Sequence, residues 1–211
     1  MSLAASCPRC TSPVTGEGRA FACSLHGRTD PLWRPDHADY ESFAELVARI
    51  DDMPIYLPWP MSPGWSIADF GRVGDDRVRA TVTTTVGTSD LDGQVEVTVV
   101  SEEPGVGLGA RCSGTSYDDP GPQVSHGPPA VHVRAGGRAV PLWLVDGEHA
   151  DDQELLARAV FAGEAEGRWL WLVMRPASSA LLLHDEWLLA DVTGFGPEAL
   201  EIPFGGPRPT W

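Results

Sequence analysis

Hydrophobic and polar residues alternate along most of the chain after residue 64, and many of the hydrophobic positions carry β-branched side chains. A period of two is typical of strands that bury one face, and residues 74–76 and 90–93 contain the Gly and Asp that are frequent in turns. The pattern therefore predicts a β-rich body over residues 54–205. Its predicted strands are residues 65–71, 77–86, 94–101, 130–135, 140–145, 157–162 and 169–175.

One segment before the body has the spacing of an amphipathic helix. Hydrophobic residues recur three or four positions apart, and charged residues occupy the other side. Asp36 or Asp39 can cap its start, and Pro54 disfavours a helical conformation just before it. The spacing predicts a helix over residues 38–51 that packs on the sheet, with a partner-binding helix as the alternative. Its hydrophobic positions are Tyr40, Phe43, Leu46, Val47 and Ile50.

Prolines and aromatic residues are interleaved in residues 55–65. Prolines fix an extended backbone, and Trp59 and Trp65 supply large rigid surfaces. Such a segment either crosses the body as a structural strap or forms a recognition surface. We interpret it as a strap, because a free proline-rich ligand rarely exposes two tryptophans.

An apolar run at residues 181–191 contains the charged residues His184, Asp185 and Glu186. Its apolar positions fit neither a clean helix nor a clean strand. A helix is the preferred interpretation, and the choice between helix and strand stays open for residues 178–191. A His and carboxylates in apolar surroundings have the chemistry of an acid and a base. A turn or a solvated edge between two buried stretches is the preferred interpretation.

The charge of the chain narrows the classes of partner. Its net charge is −15, and all 15 basic residues are Arg. The absence of Lys excludes a Schiff base, a phosphate-loop lysine and a lysine general base. Acidity opposes non-specific attraction to phosphates, so we expect another protein as the partner. Contact with nucleic acid through a locally basic patch remains an alternative, and that patch consists of Arg9, Arg19, Arg28 and Arg34.

Two pairs of metal-ligating residue types stand near the start: Cys7 with Cys10, and Cys23 with His26. Two residues separate the members of each pair, which is the spacing of a closed tetrahedral Cys3His zinc site. Residues 1–30 have few large apolar side chains, so a bound metal would replace a hydrophobic core there. The sequence predicts structural zinc, with His37 as an exposed residue. A thioredoxin-like redox pair is the alternative, but no strand–helix–strand pattern surrounds these cysteines.

Other candidate groups carry weaker signals. Glu102 and Glu103 are adjacent, so a strand would point them to opposite faces, and the glycines after them do not match a phosphate-binding loop. Asp118, Asp119 and His126 could bind a metal, although Asp is frequent in loops for turn geometry alone. We expect Cys112 to be a small core residue rather than a nucleophile, since its surroundings are apolar and rich in glycine.

Together these patterns predict an α+β fold. The expected domains are a small zinc-ribbon head over residues 1–35, a linking helix over 36–53, the body over 54–205 and a tail over 206–211. Residues 77–100 and residues 156–174 have a weak similarity in sequence, called the echo below. It favours two related halves within a mixed α/β body. The start of the chain is short and polar for a signal peptide, and no apolar run approaches the roughly 20 residues of a membrane span. We therefore expect a cytoplasmic protein.

Several motifs in order resemble an uncharacterised actinobacterial family, a domain of unknown function with a zinc-ribbon-like head and a β-rich body rich in Trp and Pro. The resemblance covers nearly the whole chain, with Thr11 in place of the family's Gly and an added stretch at residues 153–156. It implies relatives but no established activity. The motifs are Cys7-Pro-Arg-Cys10, Cys23-Ser-Leu-His-Gly27, Leu57-Pro-Trp-Pro60, Pro63-Gly-Trp65, residues 102–111, Pro141-Leu-Trp143, Phe161-Ala-Gly-Glu-Ala165 and Trp169-Leu-Trp171.

The leading functional hypothesis is an interaction or adaptor protein in which an acidic body docks another protein. The sequence contains no convincing catalytic set. One alternative is an enzyme that acts on a small molecule or an acyl group, with His184, Asp185 or the loop around Asp118 in its site. The other is nucleic-acid contact through Arg9, Arg19 and Arg28.

Overall fold

The computed structural model describes residues 4–16, 20–115, 118–121, 123–145, 157–183, 187–195, 199 and 201–211. The strands are β1 (Ala4–Ser6), β2 (Val14–Thr15), β3 (Ala22–Cys23), β4 (Gly27–Arg28), β5 (Leu32–Arg34), β6 (Tyr56–Pro58), β7 (Ser66–Val73), β8 (Ala80–Ser89), β9 (Gly93–Glu102), β10 (Val131–Ala135), β11 (Arg138–Leu144), β12 (Ala159–Ala165), β13 (Arg168–Arg175) and β14 (Leu188–Asp191). The α-helices are α1 (Tyr40–Val47) and α2 (Leu108–Ser113), and Ala177–Leu182 and Val192–Gly194 form 3-10 helices.

One large sheet dominates the molecule, and the predicted α+β class is wrong. Strands hold 41% of the described residues and helices 14%. Eleven strands run in the order β1-β5-β7-β8-β9-β13-β12-β11-β10-β14-β6, and β2, β3 and β4 form a separate small sheet. The strands β1, β5, β6 and β14 have only three or four residues, so no periodicity marks them in the sequence.

The expected order of a small zinc ribbon followed by a linking helix is also wrong. Two strands from the first 35 residues, β1 and β5, belong to the large sheet, because β5 pairs with both β1 and β7. The helix α1 follows β5 directly and lies against the sheet. Phe43 of α1 meets Phe70 of β7 with ring centroids 5.1 Å apart. The helix therefore packs on a sheet that already includes the N-terminal strands.

The seven strands predicted from alternation are confirmed as β7 to β13, with bounds that differ by up to three residues. The two segments of the sequence echo contain the hairpins β8–β9 and β12–β13, and β9 pairs with β13 in the register Val100↔Trp171. One continuous sheet thus runs through both segments. It replaces the two packed halves of a mixed α/β body that the echo favoured.

Both faces of the central strands are buried. Val97 and Val99 of β9 point into one core cluster with Leu172, while Val100 joins a second cluster with Leu108 of α2. Because successive side chains of a strand point to opposite faces, strands covered on both sides lose a clean alternation. A third cluster lies between α1, β6 and β7.

The helix α1 begins with a side-chain cap and is shorter than predicted. Asp39 accepts a hydrogen bond from the backbone N–H of Ser42 at 2.8 Å, as an N-cap does. The helix ends at Val47, four residues before the predicted end at residue 51. Its buried apolar side chains are Phe43 and Leu46.

Part of the proline- and tryptophan-rich segment is a buried strand. Ile55, Tyr56 and Leu57 are buried, and β6 pairs with β14 at the end of the sheet order. Thr83 donates from Oγ1 to the carbonyl oxygen of Tyr56 at 2.7 Å. This hydrogen bond links β6 to β8. The sequence left helix or strand open for residues 178–191. Where the structure describes them, a 3-10 helix is followed by the strand β14, so the preferred helix is wrong over β14.

Residues of the predicted tail pack against the sheet. Arg208 pairs with the buried Asp69 at 3.4 Å, and Asp69 also binds Arg34 at 2.5 Å. The Arg34 guanidinium stacks 3.8 Å from the centroid of the Trp211 ring, and Arg111 lies 5.0 Å from that ring. Burial raises the pKa of Asp69, and the two arginines oppose this rise. Among the described residues, no helix is long and apolar enough to span a bilayer.

Candidate metal centre

Short strands bring the four predicted ligands together. The strand β1 leads directly into Cys7, whose backbone N–H donates to the carbonyl oxygen of Ser12 at 2.9 Å and closes the first turn. Cys23 lies on β3, which pairs with β2 and β4, and the turn between β3 and β4 carries His26. The hairpin therefore presents the second pair of residues to the first.

The ligand atoms of Cys7, Cys10, Cys23 and His26 all lie within 4.8 Å of one another. Cys10 Sγ is 3.7 Å from Cys23 Sγ, and His26 Nδ1 is 3.5 Å from Cys7 Sγ and 3.7 Å from Cys23 Sγ. For bonds of about 2.3 Å to sulfur and 2.0–2.1 Å to nitrogen, the edges of a tetrahedron measure about 3.6–3.8 Å. These three distances match that tetrahedron, so the cluster is compatible with a metal site.

Backbone N–H groups are directed at two of the sulfur atoms. Arg9 donates to Cys7 Sγ and Leu25 donates to Cys23 Sγ, each at 3.4 Å. The hydrogen bond from Leu25 is the main reason that the pKa of Cys23 falls to about 6, whereas burial raises the pKa of Cys7 to about 11. Such N–H groups partly neutralise the negative charge that several thiolates bring to one site.

Hydrogen bonds and an ion pair from two arginines connect the cluster to the body. Arg9, between the first two cysteines, donates to the carbonyl oxygens of Gly105 at 2.5 Å and Val106 at 3.2 Å and pairs with Asp118 at 3.1 Å. Arg111 of α2 donates to the carbonyl oxygen of Cys7. The backbone around the first cysteine pair is therefore held by groups about 100 positions away in the sequence.

Glu102 is buried, and both oxygens of its carboxyl group accept hydrogen bonds. It accepts hydrogen bonds from the backbone N–H groups of Leu108 at 2.8 Å and Gly109 at 3.2 Å and from Nε1 of Trp171 at 2.7 Å. Burial raises its pKa to about 8. A Cβ atom on Gly109 would approach the Trp171 indole to 2.2 Å, so glycine is required for this close packing. Glu102 therefore orients the start of α2 against β13.

The remaining acidic candidates take part in surface contacts. Glu103 pairs with Arg77 and Arg79, Asp118 pairs with Arg9, and Asp119 accepts from the N–H of Gly105 at 2.8 Å. Within the described ranges, the four residues from Cys7 to His26 are the only group of three or more His, Cys, Asp or Glu side chains placed to share a metal. Asp118, Asp119 and His126 are therefore not brought together as ligands.

The other sequence candidates fall into three cases. Cys112 is buried in the core, and burial raises the pKa of its thiol. His37 and Arg28 are exposed. Arg19 and the acid–base candidates His184, Asp185 and Glu186 lie outside the described residues.

A polar cleft of about 450 Å³ lies beside the Cys/His cluster. Its charged side chains largely satisfy one another, since Arg79 binds both Asp30 at 2.9 Å and Glu103 at 3.0 Å. Arg28 is exposed in the cleft wall. The described lining residues are Pro8, Arg9, Arg28, Thr29, Asp30, Val73, Asp75, Asp76, Arg77, Arg79, Gly105 and Val106.

A second cavity forms an aromatic groove of about 690 Å³ on another part of the surface. Residues 58–65 form one wall, and side chains from β8, the β8–β9 turn and β14 complete it. The sequence marked the first wall only, because the others come from segments distant in the chain. The lining residues, which define the aromatic groove, are Pro58, Trp59, Pro60, Met61, Ser62, Pro63, Trp65, Thr85, Thr88, Ser89, Asp90, Leu91, Leu182, Trp187 and Leu188.

The comparisons with known proteins give one match. The model of a family of unknown function, DUF6758, matches residues 1–211. No curated protein and no solved structure matches the chain. The family match and the Cys/His cluster agree with the resemblance seen in the sequence, whereas the actinobacterial origin stays a prediction. Since the match spans its whole length, this chain belongs to the family of unknown function DUF6758.

Proposed function

We propose that this protein binds another protein through the aromatic groove and that a structural zinc ion at Cys7, Cys10, Cys23 and His26 stabilises its N-terminal segment. The observation that carries the proposal is the groove itself, which gathers three tryptophans with exposed aliphatic side chains. Large aromatic surfaces are enriched at the centres of protein interfaces.

The exposed apolar residues at this surface support a partner rather than a solvated wall. Leu91 is 83% exposed at the β8–β9 turn, and Leu188 of β14 is also exposed. Both line the aromatic groove together with Trp187. A contiguous apolar surface with polar neighbours is typical of a site that another molecule covers.

Zinc is the metal that fits the donor set best. Three thiol groups and an imidazole are soft or borderline ligands, which favour zinc over magnesium or calcium. Four protein ligands complete a tetrahedron and leave no position for substrate, so the proposed role is structural. The contacts of Arg9 and Arg111 would then hold the metal-stabilised N-terminal segment against the body.

Photo-crosslinking tests the binding function. A photoreactive amino acid replaces Leu91 in the full-length protein expressed in its native host, and a matched variant carries it at Leu144, which is exposed on β11 outside the groove. We expect one reproducible crosslinked protein from position 91 and none of comparable yield from position 144. Equal labelling from both positions, or no product from position 91, would contradict the proposal.

A further inference from the structure

We infer that the aromatic groove takes a proline-rich segment of the partner, held as a polyproline II helix and flanked by basic residues. This inference rests on the proposed function and adds the chemistry of the occupant. It follows from three features of the groove: its indole N–H donors, the lack of pairing positions for a strand, and the sign of its charge.

Three tryptophans, each of which carries an indole N–H donor, line the groove. The indole N–H groups of Trp59, Trp65 and Trp187 have no acceptor among the described residues, and none of the three is among the buried unpaired polar atoms. A polyproline II segment has no internal hydrogen bonds, so its carbonyl groups are free to accept from such donors. An α-helix would present carbonyls that its own N–H groups already engage.

The same surface cannot add a β-strand in the usual way. The strand β6 is the last in the sheet order, but Pro58, Pro60 and Pro63 lack the N–H groups that a strand needs for pairing. The carbonyl of Tyr56 already accepts from Thr83, and the N–H of Trp59 donates to the carbonyl of Leu188 at 3.0 Å. Recognition by side chains on an aromatic surface is therefore favoured over pairing of main chains.

Shape and rigidity favour a proline-rich ligand as well. The ring of Trp59 packs edge-on against Phe195 at 5.0 Å, and Trp65 covers the backbone at Gly87, so both indoles are held before a ligand arrives. Proline rings stack on such fixed aromatic faces, and the polyproline II chain loses little conformational entropy on binding. Preorganisation on both sides gives useful affinity from a modest contact area.

The charge of the groove defines the flanking residues. Asp90 is exposed and lines the groove, whereas no Arg or His lies among the described lining residues. The whole chain carries a net charge of −15. A ligand with Arg or Lys beside its proline-rich core would complement this field and associate faster. Acidic flanking residues would be repelled.

Synthetic peptides test the inference directly. The probe is a short peptide that repeats a Pro-x-x-Pro unit beside two arginines, and its controls replace each proline with alanine or each arginine with glutamate. Titration calorimetry with the full-length protein is expected to show binding of the probe at least about ten-fold tighter than that of either control. Equal affinity for the proline and alanine peptides, or no binding of the probe, would overturn the inference.

Two exposed positions keep the protein folded while changing the groove. Leu91→Glu is expected to weaken binding of the probe about ten-fold, and Asp90→Arg is expected to reverse the preference between the arginine and glutamate peptides. Trp59→Phe retains a ring but removes the N–H donor and should weaken binding several-fold. Leu144→Glu, which lies outside the groove, is the matched control and should leave affinity unchanged.

The outcomes separate this inference from the proposed function. If position 91 crosslinks a protein that has no proline-rich segment, the binding function stands and the inference fails. If the crosslinked product is a second copy of this chain and Leu91→Glu abolishes a dimer in solution, the occupant is the protein itself and the inference again fails. If neither crosslinks nor peptide binding occur, both proposals fail.

Discussion

The indole of Trp65 covers the backbone of Gly87: a Cβ atom on residue 87 would lie 2.4 Å from Cδ1, Cδ2 and Cε2 of the ring. Gly87 lies within β8, two residues before its end, and glycine normally weakens a strand. Here it allows the tryptophan to lie against the sheet and to present its other side to the aromatic groove. The relationship explains both the glycine and the shape of the groove floor.

Gly87→Ala is therefore expected to destabilise the protein by about 1–3 kcal/mol, because the new methyl group must displace the indole or the strand. The near-ultraviolet circular dichroism of the tryptophans should change with it. Chemical denaturation measures the free energy of unfolding. Gly121→Ala is the control, since nothing lies within 4 Å of a Cβ atom at that position, and a loss equal to that of Gly87→Ala would contradict the assignment.

Removal of the metal should unfold the N-terminal segment and lower the melting temperature. Purified protein is expected to contain one zinc ion per chain, and Cys10→Ser should lose it, because three remaining ligands hold the ion weakly. We expect the melting temperature to fall by about 5 °C or more, since 1 kcal/mol corresponds to about 2–4 °C at this size. Metal analysis and thermal melts with and without chelator provide the measurement.

Cys112→Ala is the matched control for that experiment. Its thiol is buried in the core and does not belong to the group of four ligands, so the variant should keep its zinc even if it loses some stability. Full zinc occupancy in Cys10→Ser, or loss of zinc in Cys112→Ala, would contradict the assigned ligands. Visible absorption after substitution with Co²⁺ would report the tetrahedral thiolate geometry independently.

Glu102 should give the stability a specific dependence on pH. Its pKa is raised to about 8 by burial, above the value of about 4.3 expected in the unfolded chain. The folded state therefore binds the additional proton between these values. The stabilisation is complete below the unfolded pKa and is lost as the pH rises through the folded pKa, with a slope of up to about 1.4 kcal/mol per pH unit.

The comparison of wild type with Glu102→Gln between pH 6 and about pH 8 isolates this contribution, because other titrating groups are common to both proteins. The wild type should lose stability relative to the variant as the pH rises. Glu103→Gln, which removes only surface ion pairs with Arg77 and Arg79, should retain the wild-type slope. A difference between wild type and Glu102→Gln that does not change with pH would contradict the prediction.

Asp69→Asn should be costly, because it leaves the buried Arg34 without its charged partner and removes the attachment of Arg208. Loss of one member of a buried ion pair typically costs about 3–5 kcal/mol. The exposed pair of Arg168 and Asp52 provides the control, and Asp52→Asn should cost about 1 kcal/mol or less. Urea denaturation distinguishes the two results, and equal losses would show that Asp69 is not structurally special.

Local patterns in the sequence were sufficient for some parts of the structure. Seven strands and the helix α1 carry periodicity over five or more residues, and they are found near the predicted positions. The proximity of Cys7, Cys10, Cys23 and His26 also followed from short spacings, because each pair lies within one turn. The identity of the metal does not follow from proximity and stays a proposal.

The fold class and the groove depended on contacts that no local pattern records. β6 pairs with β14 across more than a hundred residues, and the wall formed by Trp59 and Trp65 meets Trp187 only in the folded chain. The N-terminal strands β1 and β5 are too short to be recognised, so the sequence alone predicts a separate head. The pairing of segments that are distant in the sequence determines that these residues form strands.

The pairing of β9 with β13 has a consequence during synthesis of the protein. β9 ends at Glu102 and β13 begins at Arg168, so a growing chain completes the β7–β8–β9 meander well before the neighbour of β9 has been translated. Throughout that interval the valine-rich edge of β9 has unpaired N–H and C=O groups, a template on which another nascent chain can pair. Slower translation, which lengthens that interval, is therefore expected to raise aggregation and lower the yield of folded protein.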